Sequence, residues 1–196
     1  MTQTPNKISK IISSMLVVAL LAAALVGLVK HITAKPIKEA QDKMIADSIK
    51  EVVTSEFDND PFAEKITTLQ GKDRFTLYPA RKEGYITSIV MKSFSNKGYG
   101  GRIEVLVNFL PDGSIGGYKV IEHKETPGLG SKVNDTSFKQ GIIGKSPKSE
   151  NFKVRQDGGE IDAITGATIT SRALIDAIQR AYRGYQKFNT GAENEQ

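Results

Sequence analysis

The stretch Asp162–Ser171 reads DAITGATITS, gathering three threonines (Thr165, Thr168 and Thr170) and a serine around a Gly-Ala pair. It contains no histidine, lysine or cysteine, so nothing inside the segment can activate a hydroxyl as a nucleophile. On its C-terminal side, SRALIDAIQRAYRGYQKF spaces Leu174, Ile175, Ile178, Tyr182 and Tyr185 at helical intervals, the pattern of a helix with a buried face. On its N-terminal side, Glu160–Ile164 reads as a short strand. The segment is therefore a strand-to-helix turn, with Thr170 or Ser171 placed to cap the helix. Gly166 and Ala167 are too small to shield Thr168. Its hydroxyl is expected at or near the helix N-terminus, where free N–H groups and the helix dipole favour a phosphate. Two readings stay open: a hydroxyl-rich capping turn, or a hydroxyl modified by another enzyme that brings the missing base.

Upstream, the chain reads as strands. Gly84–Phe94 is rich in β-branched residues, and Gly98–Gly101 (GYGG) is a loop. The runs RIEVLVNFL and SIGGYKVIEH flank Pro111-Asp112-Gly113, so Arg102–His123 reads as a β-hairpin. Thr136–Ile143 suits a short helix. Directly after the hairpin comes HKETPGLGSK, His123–Lys132, which offers Glu125 and Thr126 as polar groups at a strand end. Its Gly128 and Gly130 would let the backbone approach a flat ligand closely. A surface turn is the plainer reading. The expected architecture is α+β, a mainly antiparallel sheet with flanking helices.

The N-terminal region is of another kind. Ile11–Val29 is 19 residues without a charge, close to the span of a hydrocarbon core of roughly 30 Å. Ser13 and Ser14 within it can bond back to the helix backbone, and the large Ile32 makes ITAK a poor cleavage site, so a retained transmembrane helix is expected. Pro36–Val53 follows as an amphipathic helix lifting the domain off the membrane. Lysines lie on both sides of the apolar run, so charge counting does not fix its orientation.

Composition removes whole classes of chemistry. The 196-residue chain has no cysteine and only His31 and His123, which excludes disulfides, thiolate zinc sites, cysteine-held iron–sulfur clusters and His-rich metal centres. Redox work here needs an organic cofactor. A net charge of +5, without a dense Lys/Arg run, gives no nucleic-acid footprint. GIIGKS (Gly141–Ser146) has Lys139 where a P-loop needs its first glycine, and GYGG lacks the third glycine of a dinucleotide fingerprint. A membrane-anchored hydrolase would use Thr168 or Ser171 with His123 as base and Glu125 orienting it. A cofactor-free anchored domain would use none of them.

DAITGATITS resembles the flavinylation signature Asp-x-x-(Ser/Thr)-Gly-Ala-Thr of FMN-binding domains in ion-pumping respiratory complexes, and HKETPGLGSK resembles the second hallmark of those domains. The order of the two motifs, the anchor before them and the length look like the G subunits of Rnf electron-transport complexes. The related C subunits of sodium-pumping NADH:quinone reductases are the alternative. The resemblance implies FMN held by a phosphoester bond to Thr168, installed from FAD by an extracytoplasmic transferase that reads Asp162. It implies a cofactor site that includes Glu125, Thr126, Gly128, Leu129, Gly130, Thr165, Gly166, Ala167 and Thr170. It further implies a one-electron relay among membrane subunits of a ferredoxin:NAD oxidoreductase that moves Na⁺ or H⁺, with no independent turnover. The implied layout is a cytoplasmic tail (1–10), a membrane span (11–29), a helical linker leading into the domain (30–83), an extracytoplasmic FMN-binding domain (84–187) and a flexible tail (188–196).

Overall fold

The protein is described by a computed structural model that covers residues 7–70 and 73–193. The ends of both expected tails, residues 1–6 and 194–196, lie outside the described residues. The chain divides into two units, residues 1–44 and 45–196.

The first unit is helical. Helix α1 runs over Lys7–Val52, so its sequence continues into the second unit. The apolar run forms its early turns, with Ser13 Oγ donating to the Lys10 carbonyl at 3.0 Å and Ser14 Oγ to that of Ile11 at 2.8 Å. These bonds satisfy the only side-chain polar groups of the apolar run. It is the one helix among the described residues long and apolar enough to cross a membrane. The sequence suggests two helices, one on each side of Ile32–Lys35, whereas the structure has one that contains Pro36. Proline lacks an N–H, so one backbone bond is missing there, and the turns on both sides hold the helix regardless.

The second unit is a five-stranded antiparallel meander in the order β1 (Ile66–Gln70), β2 (Asp73–Lys82), β3 (Tyr85–Gly98), β4 (Gly101–Phe109) and β5 (Ile115–Glu122). Residues 66–70 and 73–82, left to the linker by the sequence reading, form the first two strands. Glu83 and Gly84 both have positive φ, 52° and 85°, and close the tight β2–β3 hairpin in the manner of a type I′ turn. A 3₁₀ turn (Gly130–Asn134), helix α2 (Thr136–Gln140) and a second 3₁₀ turn (Arg155–Asp157) lead to helix α3, Thr168–Glu193. The strand expected at Glu160–Ile164 is reduced to a single bridge between Val154 and Ile161. Helix α3 continues past Phe188, where a flexible tail was expected.

Alternation sets the two faces of the sheet. Phe75, Leu77, Ile89, Met91, Ile103, Val105, Val107 and Phe109 point to one side, where Leu174, Ile175, Ile178, Tyr182 and Tyr185 of α3 cover them. Tyr78, Ala80, Val90 and Leu106 point to the other, under Ile49, Val52 and Val53. Burying each of those three caps is worth about 1.5–3 kcal/mol. A chain starting at Pro36 is expected to be soluble and folded, whereas one starting at Thr54 strips this face and should aggregate. Size-exclusion chromatography of the two chains checks this.

The free edge of β5 is closed by the loop that follows it. The Asn134 side chain accepts from the Val120 N–H at 2.9 Å and donates to the Val120 carbonyl at 3.0 Å, while the Tyr118 hydroxyl donates to the Val133 carbonyl at 2.8 Å. Burial pushes the Tyr118 phenol well above its usual range, which keeps it a neutral donor. The residues after β5 are thereby pinned across the sheet edge.

Glu104 shows how the fold tolerates a buried acid. Burial opposes its charge, but Lys92 at 2.9 Å and Arg102 together outweigh that and hold the carboxyl below its ordinary value. A depressed folded value means the stabilisation is complete above the unfolded value and is lost as pH falls through the folded one. Glu104→Gln should therefore cost about 1–2 kcal/mol at neutral pH and flatten the loss of stability below about pH 4.5. Denaturant titrations across the acid range check the slope.

Candidate functional site

The two motifs meet through matching turns. In Thr126-Pro127-Gly128-Leu129, the Leu129 N–H donates to the Thr126 carbonyl at 3.2 Å, with Gly128 at φ 76°. In Ile164-Thr165-Gly166-Ala167, the Ala167 N–H donates to the Ile164 carbonyl at 2.9 Å, with Gly166 at φ 77°. Positive φ at the third position is the type II pattern, which glycine adopts without strain and which proline favours at the second. The turns touch: a Cβ on Gly166 would sit 3.4 Å from Leu129 Cδ2.

Between them lies a cavity of about 620 Å³, lined by Glu125, Thr126, Leu129, Gly130, Gly166, Ala167, Thr168 and Thr170 of the expected residues. Tyr99 and Ile169 complete the lining, and the sequence reading missed both. An aromatic flanked by glycines in a loop does not by itself announce a ligand, so no local signal marks Tyr99. Gly128 is not part of the lining, and its N–H is taken by Ser131 Oγ at 2.9 Å. Asp162 and Thr165 face a second cavity of about 330 Å³, shared with Lys132, Asp135 and Phe138. Asp162 pairs there with Arg155 at 2.5 Å, both side chains being well exposed.

The hydroxyls of the segment have different fates. Ser171 Oγ, fully buried, donates to the Ala167 carbonyl and accepts from the Ile164 N–H, both at 3.0 Å, stitching the turn to the helix. Thr170 Oγ1, also buried, donates to Glu125 Oε2 at 2.5 Å. Neither caps α3 as the sequence suggested. The helix begins at Thr168, and the position before it is Ala167, which has no side-chain acceptor. As a result the N–H groups of Thr168, Ile169 and Thr170 have no acceptor among the described residues. Thr168 Oγ1 likewise has no hydrogen bond among the described residues. A serine, threonine or aspartate at the cap would stabilise the helix by about 1 kcal/mol; the chain forgoes that and leaves an anion-receptive helix end beside an uncommitted hydroxyl.

Glu125 is only 5% exposed and spans the site. Its Oε1 accepts from the Gly100 N–H at 3.0 Å while its Oε2 takes the Thr170 hydroxyl. One carboxylate thus ties the β3–β4 turn to the first turn of α3. This leaves the hydrolase reading without its orienting acid. His123 Nδ1 accepts from the Glu125 N–H at 3.3 Å, Glu125 orients no histidine, and Ser171 is committed to the backbone. No cluster of metal-ligating side chains occurs among the described residues.

The residues fit a phosphate-bearing flat ligand such as FMN: a helix end for the phosphate, and an open cavity rimmed by Leu129, Ile169 and Tyr99 for the ring. Sequence comparison agrees. Residues 98–183 match the FMN-binding domain family. The G subunit of the ion-translocating oxidoreductase complex of Vibrio cholerae serotype O1 is 31% identical over 84% of this chain and 84% of its own length. The corresponding subunits of Shewanella loihica and Pseudomonas aeruginosa are each 34% identical, over 83% and 84% of this chain and 82% of their own lengths. The crystal structure of Shewanella oneidensis NqrC is similar at 26% identity and a TM-score of 0.47, covering 59% of this chain and 63% of that one. With two motifs converging on one cavity and relatives matched over most of their length, the chain belongs to the family of G subunits of ion-translocating oxidoreductase complexes.

Proposed function

We propose that the chain is an electron-transfer subunit of a membrane-bound, ion-translocating ferredoxin:NAD oxidoreductase complex, and that it carries FMN as a phosphoester on Thr168. The observation that carries this reading is the state of Thr168 Oγ1, an uncommitted hydroxyl at a helix end whose N–H groups are free, in a cavity lined by both motifs. Bound FMN would supply one-electron transfer, and the protein supplies position and electrostatics.

Thr168 fixes the phosphate end, and the N–H groups of Ile169 and Thr170 face the charge that a phosphate would bring. Leu129, Ile169 and Ala167 offer apolar surface to a ring, and Thr126 and Glu125 its polar contacts. The missing base belongs to a maturing transferase that works from FAD on the extracytoplasmic side, with residues 1–10 inside and 11–29 crossing the membrane. Partner subunits exchange electrons at the open side of the cavity. A tether suits this placement, because a flavin lost outside would be diluted away whereas an attached one keeps a high effective concentration.

Intact-mass measurement on the purified chain, read with in-gel flavin fluorescence, tests the proposal. An added mass of phosphoester-linked FMN on a yellow protein is expected; an unmodified mass after maturation in a host with the transferase would overturn it. Asp162 carries the recognition role within this reading. Its carboxylate is exposed and held by Arg155, where an incoming enzyme can reach it. Asp162→Ala should lower the flavinylated fraction without lowering thermal stability, since exposed pairs contribute little. Full modification in that variant would leave Asp162 a surface residue only.

A further inference from the structure

Neither motif contains a phenylalanine, tyrosine or tryptophan to face a flavin ring. We propose that Tyr99 is the aromatic wall of this site, stacking on the isoalloxazine ring of FMN. The inference rests on the FMN reading above and adds a binding residue outside both motifs.

Tyr99 is 74% exposed and lines the cavity. Its hydroxyl has no hydrogen bond and its ring no aromatic partner among the described residues. Such a side chain would normally sit on a mobile loop tip, but the backbone beneath it is clamped. Tyr99 and Gly100 form a two-residue turn between paired Gly98 and Gly101. The Gly100 N–H is held by Glu125 Oε1. A Cβ on Gly98 would lie 2.5 Å from the same oxygen, and one on Gly100 would collide with the Lys124 carbonyl. The turn is therefore seated directly on the strand end that precedes the Pro127-Gly128 motif, and its glycines are what permit that approach.

The apolar surface is also concentrated here. Among the described residues from 45 onward, seven large hydrophobic side chains are exposed, and three of them, Tyr99, Leu129 and Ile169, line this one cavity. Scattered exposed apolar residues need no explanation, but a cluster around a cavity marks a ligand surface. Glu125 ties Tyr99's turn to the first turn of α3, so an occupant tethered at Thr168 meets the Tyr99 ring from a fixed place. A planar heterocycle such as the flavin ring suits offset stacking on a phenol.

The test uses the full-length chain in detergent, flavinylated and unflavinylated, as wild type, Tyr99→Leu and Tyr99→Phe. A tyrosine in van der Waals contact quenches an excited flavin by lending it one electron, which returns on recombination; phenylalanine and leucine cannot. The wild-type flavin should be quenched in the native state relative to the same sample denatured. Tyr99→Leu should be several-fold brighter and change its visible circular dichroism. Tyr99→Phe should be bright too, but with the wild-type dichroism, since the ring is kept. Free FMN titrated onto the unflavinylated chain should bind roughly two- to tenfold more weakly to Tyr99→Leu than to wild type. Wild-type fluorescence and dichroism in flavinylated Tyr99→Leu would overturn the role of Tyr99 while leaving the attachment reading intact. A wild-type chain that never acquires flavin yet binds FMN in a Tyr99-dependent way would do the reverse. A chain that neither acquires nor binds FMN overturns both.

Discussion

Replacing Thr168 by alanine is expected to abolish covalent flavin altogether, with less than about 1 kcal/mol lost in stability. The asymmetry follows from the hydrogen bonds of the segment. Thr168 Oγ1 has no partner among the described residues, so its removal leaves none of their buried donors or acceptors unsatisfied. Its neighbours behave in the opposite way. Ser171→Ala strands the Ile164 N–H, which the serine hydroxyl accepts at 3.0 Å, and should cost about 1–3 kcal/mol while leaving the attachment hydroxyl in place. Thr165→Ala touches a hydroxyl that faces the second cavity and should change neither property. Thr168→Ser keeps a hydroxyl at the helix end and should retain flavin. Denaturing gels imaged for flavin fluorescence, beside thermal melts of the same four variants, give the comparison. Flavin persisting on Thr168→Ala would assign the link to another residue, and flavin lost equally from all four would mean that the turn's shape, not its hydroxyl, is what matters.

The same segment shows how far a sequence carries an argument about this protein. Leu174, Ile175, Ile178, Tyr182 and Tyr185 are legible as a core face because a helical period is a local property, and all five are buried. The hairpin about Pro111-Asp112-Gly113 is legible for a similar reason, since its turn chemistry is local. The five-stranded meander is only half legible. Residues 66–82 carry Thr, Arg, Asp and Pro among their apolar positions, and β1 lies at a sheet edge, where alternation is weakly enforced. The cap of α3 is misread because Thr170 and Ser171 have the right chemistry for it. What removes them is long-range: Glu125, 45 residues away, claims Thr170, and the turn itself claims Ser171. Tyr99 is invisible as a site residue for the same cause. Its position depends on a bond between Gly100 and Glu125 that no local pattern announces.

That dependence makes Gly130 a sensitive backbone position of the site. A methyl group there would lie 2.6 Å from Glu125 Cβ, 2.9 Å from Glu125 Oε2 and 2.9 Å from Thr170 Oγ1. All three atoms belong to buried side chains, so none can simply swing into solvent. Gly130→Ala must break the 2.5 Å bond between Thr170 and Glu125 or displace the Gly130–Asn134 turn. Overpacking of this kind costs about 1–3 kcal/mol, and losing a buried hydrogen bond to a carboxylate about 1.5–3 more. The expected loss is about 3–5 kcal/mol, which at roughly 2–4 °C per kcal/mol for a domain of this size lowers the melting temperature by about 6–20 °C. Gly128→Ala is the control: its φ of 76° is strained for alanine, but the space around it is open, so about 1–2 kcal/mol is expected. The mechanism is then separated from mere strain by a double-mutant cycle. In a Glu125→Gly background, which removes both the Cβ and the Oε2 contacts, the methyl enters space the glutamate has vacated, so Gly130→Ala should cost less than it does alone, with a coupling of more than about 1.5 kcal/mol. Equal cost in both backgrounds would show that the Gly130 backbone, not its contact with Glu125, sets the requirement for glycine, and the carboxylate would lose its place as the cross-link of the site.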